Sequence, residues 1–134
     1  MDRTLAREIA MTLLYAGTVG GEDTVTDALE QSEQADCLDE KGRLFAEELY
    51  RGTVDNCEMI DKTISEHSID WSIDRIAKVD LSILRLATYE ILFREDIPDG
   101  ASINEAVELG KKFGGEKSAK FINGVLGAVA KSKG

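Results

Sequence analysis

From Val79 to Phe93 apolar residues fall nearly all the way round a helical wheel, the pattern of a helix buried on most of its sides. Such a helix is stable only inside other packed elements, so this segment predicts a central strut around which the rest of the chain folds. Arg85 and Glu90 lie on the strut. Buried charges are tolerated only when paired and hydrogen bonded, so both are expected to act as clamps to neighbouring elements. Asp80 falls in its first turn, where a carboxylate suits the positive end of the helix dipole. No alternating run of useful length supports a strand, and there is one proline and no internal repeat. The expected fold class is all-α.

The same periodicity places the other helices. Leu5, Ile9, Leu13 and Ala16 share one face of a first helix, which the Gly17–Gly21 region is expected to break. Val25, Ala28 and Leu29 suggest a short second helix from about Asp23 to Gln34. A third begins near Asp39 and carries Leu44, Phe45, Leu49, Val54, Met59, Ile60 and Ile64 on to about His67, with Gly52 and Asn56 as kink points. Asp70 to Ala77 reads as an irregular turn anchored by Trp71, Ile73 and Ile76. After Pro98, Ser102 and Glu105 have the SxxE spacing of a capping box, which predicts a helix start at Ser102. The Gly114-Gly115 pair is expected to end that helix. A last helix runs from about Glu116 to Lys131, with Phe121, Ile122, Val125, Leu126 and Val129 as its apolar face.

Several classes of function find no support. The 134 residues suggest one domain, spanning 1–134, large enough to bury a core without staples. Cys37 and Cys57 are widely separated and match no metal spacing, so reduced thiols are expected. His67 is the only histidine and has no partner at a recognisable spacing. GKKFGGEKS resembles a phosphate loop only briefly: Glu116 stands where the lysine should follow the second glycine, and a helix precedes it instead of a strand. No catalysis, cofactor or metal is expected. No stretch approaches a membrane span, and Ile9 to Ala16 has a helical period unlike a secretion signal, so a soluble, cytoplasmic chain is expected.

Charge is distributed unevenly. The net charge is -10, yet residues 1–36 carry -6, residues 37–100 carry -7 and residues 101–134 carry +3. A local basic face can steer a polyanion even on an acidic body. With Phe121 at zero and an advance of 100° per residue, Lys117, Gly124, Lys131, Lys120 and Gly127 fall at about -40, -60, -80, -100 and -120°. One flank of the last helix is thus basic and nearly bare of bulk. A phosphate backbone could approach it closely, with Phe121 at its border in reach of an unstacked base. Equally, the lysines could simply solvate a surface, the glycines permit close helix packing and Phe121 belong to the core.

The run INEAVELGKKFG, followed by KFINGVL, resembles the C-terminal signature of the NusB family of bacterial transcription antitermination factors. ARE and LLYA near the start, Trp71 and the DRIAKVDLSILRLATYEIL run extend the resemblance over essentially the whole chain. It implies an all-helical fold of two small three-helix bundles, no enzyme activity, and binding to boxA-type RNA together with NusE, a ribosomal protein, within the RNA polymerase antitermination complex. It places Arg3, Arg7, Tyr15, Lys117, Lys120, Phe121 and Asn123 on the RNA-binding face and Asp80 on the NusE-binding face. No membrane partner is implied, and a homodimer is left open.

The chain departs from the family at its start. Family members commonly begin with a dense arginine cluster, whereas this chain begins MDRTLARE, with Arg3 and Arg7 one turn apart on the flank that continues through Met11, Leu14 and Tyr15. Each missing arginine removes a phosphate contact, so the chain alone is expected to bind RNA weakly. The alternative function is a protein-interaction module that sequesters or chaperones NusE. A third, an RNA-binding domain like those preceding some rRNA methyltransferases, is weaker because no methyltransferase domain follows Gly134.

Overall fold

A computed structural model describes residues 2–20, 37–68 and 72–133. Among these the regular structure is helical: α1 (Arg3–Gly20), α2 (Glu40–Asp55), α3 (Cys57–His67), a 3-10 turn (Ile73–Arg75), α4 (Lys78–Phe93), α5 (Asp99–Gly114) and α6 (Glu116–Lys133). The expected helix from Asp23 to Gln34, and Trp71, lie outside the described residues.

The all-round apolar segment is the hub. Ten of its residues are buried, and α4 packs against each of the five other described α-helices. α4, α5 and α6 contact one another as a three-helix bundle, α1 and α2 pack together and on α4, and α3 lies across α4 and α6. The clamps expected on α4 are present. Arg85 forks onto Asp61 of α3, with Nε–Oδ1 2.7 Å and Nη2–Oδ2 2.8 Å. Glu90 receives Arg7 of α1 and also the Ser102 hydroxyl of α5.

Local chemistry explains most boundaries. Asp2 accepts from the Leu5 amide and Asp39 from the Gly42 amide, each satisfying an NH that a first turn leaves unpaired. The Gly17 region does not break α1, which runs on to Gly20. Asn56 separates α2 from α3, and its side-chain amide donates to the Gly52 carbonyl, occupying an acceptor at the end of α2. Of the apolar positions of this segment, Leu44, Val54 and Met59 are exposed at 56, 48 and 55%, while Phe45, Leu49, Ile60 and Ile64 are buried. Gly115, at φ 89°, makes the left-handed turn between α5 and α6. Gly110 lets those helices close together: a Cβ there would stand 2.9 Å from Ile122 Cδ1 and 3.3 Å from the Ala119 backbone.

The SxxE box is a correction. α5 begins three residues earlier than Ser102, behind Pro98, whose carbonyl accepts from the Ala101 and Ser102 amides. Proline fixes a φ suited to a helix start and cannot continue a helix behind it. Ser102 is therefore inside the helix and 1% exposed, donating to Glu90, while Glu105 accepts from Thr4 and faces Arg7. Both residues serve contacts between helices, not the cap.

Candidate nucleic-acid interface

The basic character of residues 101–134 resolves into two kinds of lysine. Lys111 pairs with Glu108, Lys112 with the buried Glu8 of α1, and Lys133 with Asp99. Lys117, Lys120 and Lys131 are exposed and make no ion pair among the described residues. These three are the lysines that the wheel of the last helix gathered on one flank. Their charge is not spent among the described residues, so it is available to an outside anion.

The glycines on that flank are open. A Cβ built on Gly124 or Gly127 would meet no atom within 4 Å. Neither glycine serves a helix crossing, the role that Gly110 plays on α5. A mid-helix glycine costs roughly 0.5–1 kcal/mol relative to alanine, and no packing in the described structure offsets that cost. What the pair supplies is backbone bare of side chain, exposed at Gly124 and half-buried at Gly127, beside three uncompensated ammonium groups, a surface that a phosphate chain can approach closely.

A depression lies on either side of the flank. On one side a cleft of about 320 Å³ is lined by Arg75, Ile76, Ala77, Asp80, Lys117, Ser118 and Phe121. Phe121 is half-buried, packed against the core while forming part of the cleft wall. Asp80 is 9% exposed, and its Oδ2 accepts from the Ser118 hydroxyl at 3.1 Å. It does not cap α4, whose N-cap is Ala77. Gly114 makes room for this pair, since a Cβ there would clash with Ser118 Oγ at 2.2 Å and approach Asp80 Oδ1 at 3.2 Å. The residues assigned by resemblance to two different partners, Asp80 on one hand and Lys117 with Phe121 on the other, thus share one cleft.

On the other side a shallower groove of about 350 Å³ runs between α5 and α6, lined by Asn104, Val107, Lys111, Glu116, Ala119, Lys120 and Asn123. The sequence reading found Lys120 and Asn123 but not Asn104 or Lys111. The signal was present: Asn104, Val107 and Lys111 are spaced i, i+3, i+7 and so lie on one face of α5.

The α1 flank is where the structure corrects the sequence. Arg7 is 4% exposed, and its guanidinium forks onto Glu90 with Nε 3.1 Å from both carboxylate oxygens and Nη2 2.9 Å from one. It is a buried clamp, not a surface cation. Met11 and Leu14 on the same flank are also buried, at 2 and 8%, because this flank belongs to the core. Arg3 and Tyr15 remain at the surface. Arg3 lies over the Phe45 ring, 4.9 Å from its centroid, and Tyr15 is 36% exposed. Neither lines the two depressions beside α6.

Among the described residues no helix is long and apolar enough to cross a membrane, and no cluster of side chains has the makings of a metal site. Burial raises the Cys57 thiol above its ordinary pKa, which keeps it protonated and a poor nucleophile near neutrality.

The family model for the NusB family matches residues 4–131. The chain belongs to the NusB family. Relatives include the transcription antitermination protein NusB of Pelotomaculum thermopropionicum, 46% identical over 132 residues covering 98% of this chain and 91% of that protein. The NusB of Clostridium botulinum is 45% identical, with 96% of this chain and 99% of that protein covered. Among solved structures, T. maritima NusB superposes with a TM-score of 0.84 at 36% identity, over 98% of this chain and 92% of that one. A chain from a crystal structure of antitermination factors NusB and NusE in complex with dsRNA gives a TM-score of 0.86 at 32% identity, over 97% and 96%. The all-helical NusB fold is therefore that of this chain.

Proposed function

We propose that this chain is a cytoplasmic transcription antitermination factor that binds boxA-type RNA together with the ribosomal protein NusE and so promotes transcription of ribosomal RNA operons by RNA polymerase. It acts by binding, without catalysis. The observation that carries this reading is the segregation of lysines: the three on the glycine-bare flank of α6 are uncompensated, while the other three of residues 101–134 are each paired with a carboxylate. Membership of a family with a solved NusB–NusE–dsRNA complex supports it. Lys117, Lys120 and Lys131 meet phosphates, Phe121 meets a base, Asn123 contributes a carboxamide, and Arg3 and Tyr15 extend the contact from α1. Arg7 acts only by holding α1 in place.

A second reading, a module that holds NusE without binding RNA, is favoured by Asp80, an acidic group in the same cleft as Phe121. Titration of boxA-type RNA across a series of salt concentrations, with and without NusE, separates the two. The antitermination reading expects affinity to fall steeply with salt, with a slope set by the number of phosphates neutralised. Tight NusE binding with no RNA binding in either arm would select the second reading.

A further inference from the structure

The groove between α5 and α6 has a composition that the lysine flank does not explain, and of its lining the family resemblance places only Lys120 and Asn123 on the RNA-binding face. Val107 and Ala119 give it an apolar floor. Asn104 of α5 and Asn123 of α6 stand along it, both exposed and neither hydrogen bonded through its side chain among the described residues. Lys120, uncompensated, lies at the border with the flank, and Lys111, paired with Glu108 at 3.3 Å, also lines the groove. Glu116 is its one carboxylate.

A carboxamide offers a donor and an acceptor side by side, the combination that engages the edge of a nucleobase. An apolar floor suits the face of such a base, and sequence-specific RNA recognition acts on unstacked bases of single strands. At about 350 Å³ the groove falls at the lower end of the range of small-ligand sites, roughly 300 to 1,000 Å³. It is also continuous with the phosphate-binding flank through Lys120, whereas the Phe121 cleft opens on the opposite side of that flank.

We infer that the Asn104–Asn123 groove seats one unstacked base of a single RNA strand whose backbone crosses α6 over Lys117, Lys120 and Lys131, and that the two carboxamides read that base's edge. The inference rests on the RNA-binding reading above. It divides the labour on α6: the lysines set affinity for any strand, the Phe121 cleft stacks a base without choosing it, and the groove selects. Glu116 contributes to the selection, since it repels a phosphate but accepts from an exocyclic amino group.

The test uses the full chain with NusE and a set of short single-stranded boxA-type RNAs in which each position in turn carries each of the four bases. Wild-type protein should discriminate among bases at one position by about 5- to 150-fold, the range of a good bidentate base contact. Asn104→Ala and Asn123→Ala should each reduce that discrimination severalfold at that position alone, leaving the salt slope and the helical circular dichroism unchanged. Lys120→Ala should do the reverse, flattening the slope by roughly 0.7 while base preference elsewhere persists. If wild-type protein binds RNA but both asparagine variants keep its base preferences, the groove does not read a base and the inference is overturned while RNA binding stands. A uniform loss across all four bases likewise overturns base reading and reduces the asparagines to backbone contacts. Loss of NusE binding in place of RNA binding would reassign the groove to a protein contact. Absence of RNA binding by wild-type protein in any arm would overturn the RNA-binding reading itself.

Discussion

The guanidinium of Arg7 and the carboxylate of Glu90 meet in a three-bond fork although 83 residues separate them, and both side chains are almost completely buried. The fork fastens α1 to the central helix. Removing one partner of a buried pair strands the other charge, at a cost of about 3–5 kcal/mol. Arg7→Ala and Glu90→Ala should therefore each lower the urea midpoint strongly. The double substitution Arg7→Met with Glu90→Leu should recover much of that loss, because no uncompensated charge is left behind. Equilibrium urea denaturation of the three variants checks this. An Arg7→Ala protein with wild-type stability would place Arg7 back among the surface cations.

Lysines that look alike in composition should behave differently in solution. Alanine at Lys117, Lys120 or Lys131 should each flatten the slope of log affinity against log salt by roughly 0.7 for a single strand. Alanine at Lys133, which is held by Asp99 and the Ile91 carbonyl, should leave the slope unchanged. Fluorescence titrations at four or five salt concentrations, with NusE present throughout, measure this directly.

Gly124→Ala and Gly127→Ala should each stabilise the fold by roughly 0.5–1 kcal/mol, since helix propensity improves and a methyl meets nothing. The same substitutions should weaken RNA binding by keeping the backbone of the strand away from α6. Stability and affinity moving in opposite directions is the expected signature. A gain in stability with unchanged affinity would mean that no strand approaches that part of α6.

Asp80 requires a gentler probe than charge reversal. Its carboxylate accepts from Ser118 and is almost wholly buried, so Asp80→Lys would both lose that bond and force an ammonium into the space. That variant should lose stability. Asp80→Asn keeps the shape and removes only the charge. If Asp80 attracts a basic partner, the Asn variant should bind NusE more weakly at low salt, with near-native thermal unfolding. RNA and NusE contacts sharing this cleft should also be coupled reciprocally, each ligand strengthening the other by the same factor, typically about 5- to 150-fold. Paired isothermal titrations at one salt concentration test both statements, and equal NusE affinity of wild type and Asp80→Asn would reduce Asp80 to an internal acceptor.

Acid should loosen one surface link only at low pH. The Arg94 guanidinium holds the Asp96 carboxyl at about 2, below its ordinary value of 3.8. A carboxyl depressed in the folded state contributes its stability above the ordinary value and loses it as pH falls through the depressed one. Asp96→Asn should therefore flatten the dependence of stability on pH between about 4 and 2, by a small amount because the pair is exposed. Thermal melts at half-unit pH steps provide the comparison.

The fold was largely legible because helical periodicity is a local signal. The all-round apolar pattern of Val79 to Phe93 marked the hub, Asn56 a helix boundary, and the Gly114-Gly115 pair the turn that Gly115 makes at positive φ. What failed depended on partners far along the chain. Ser102 has the spacing of a cap, but Glu90 claims its hydroxyl; Arg7 has the look of a surface cation, but the same Glu90 claims its guanidinium. A wheel shows which residues share a face and not what covers that face. For the same reason the flank of α6 was readable, since none of the described residues covers it, whereas the groove beside it required residues from two helices.

Because α4 touches every other described helix, no cut in the chain leaves a fragment with a closed interior of its own. Either piece would expose the flank of α4 that the other had covered, or would lack α4 altogether. Loss of structure in this protein is for that reason a collective event, in which fraying is confined to outer helix ends and the departure of any one helix opens the common axis to water.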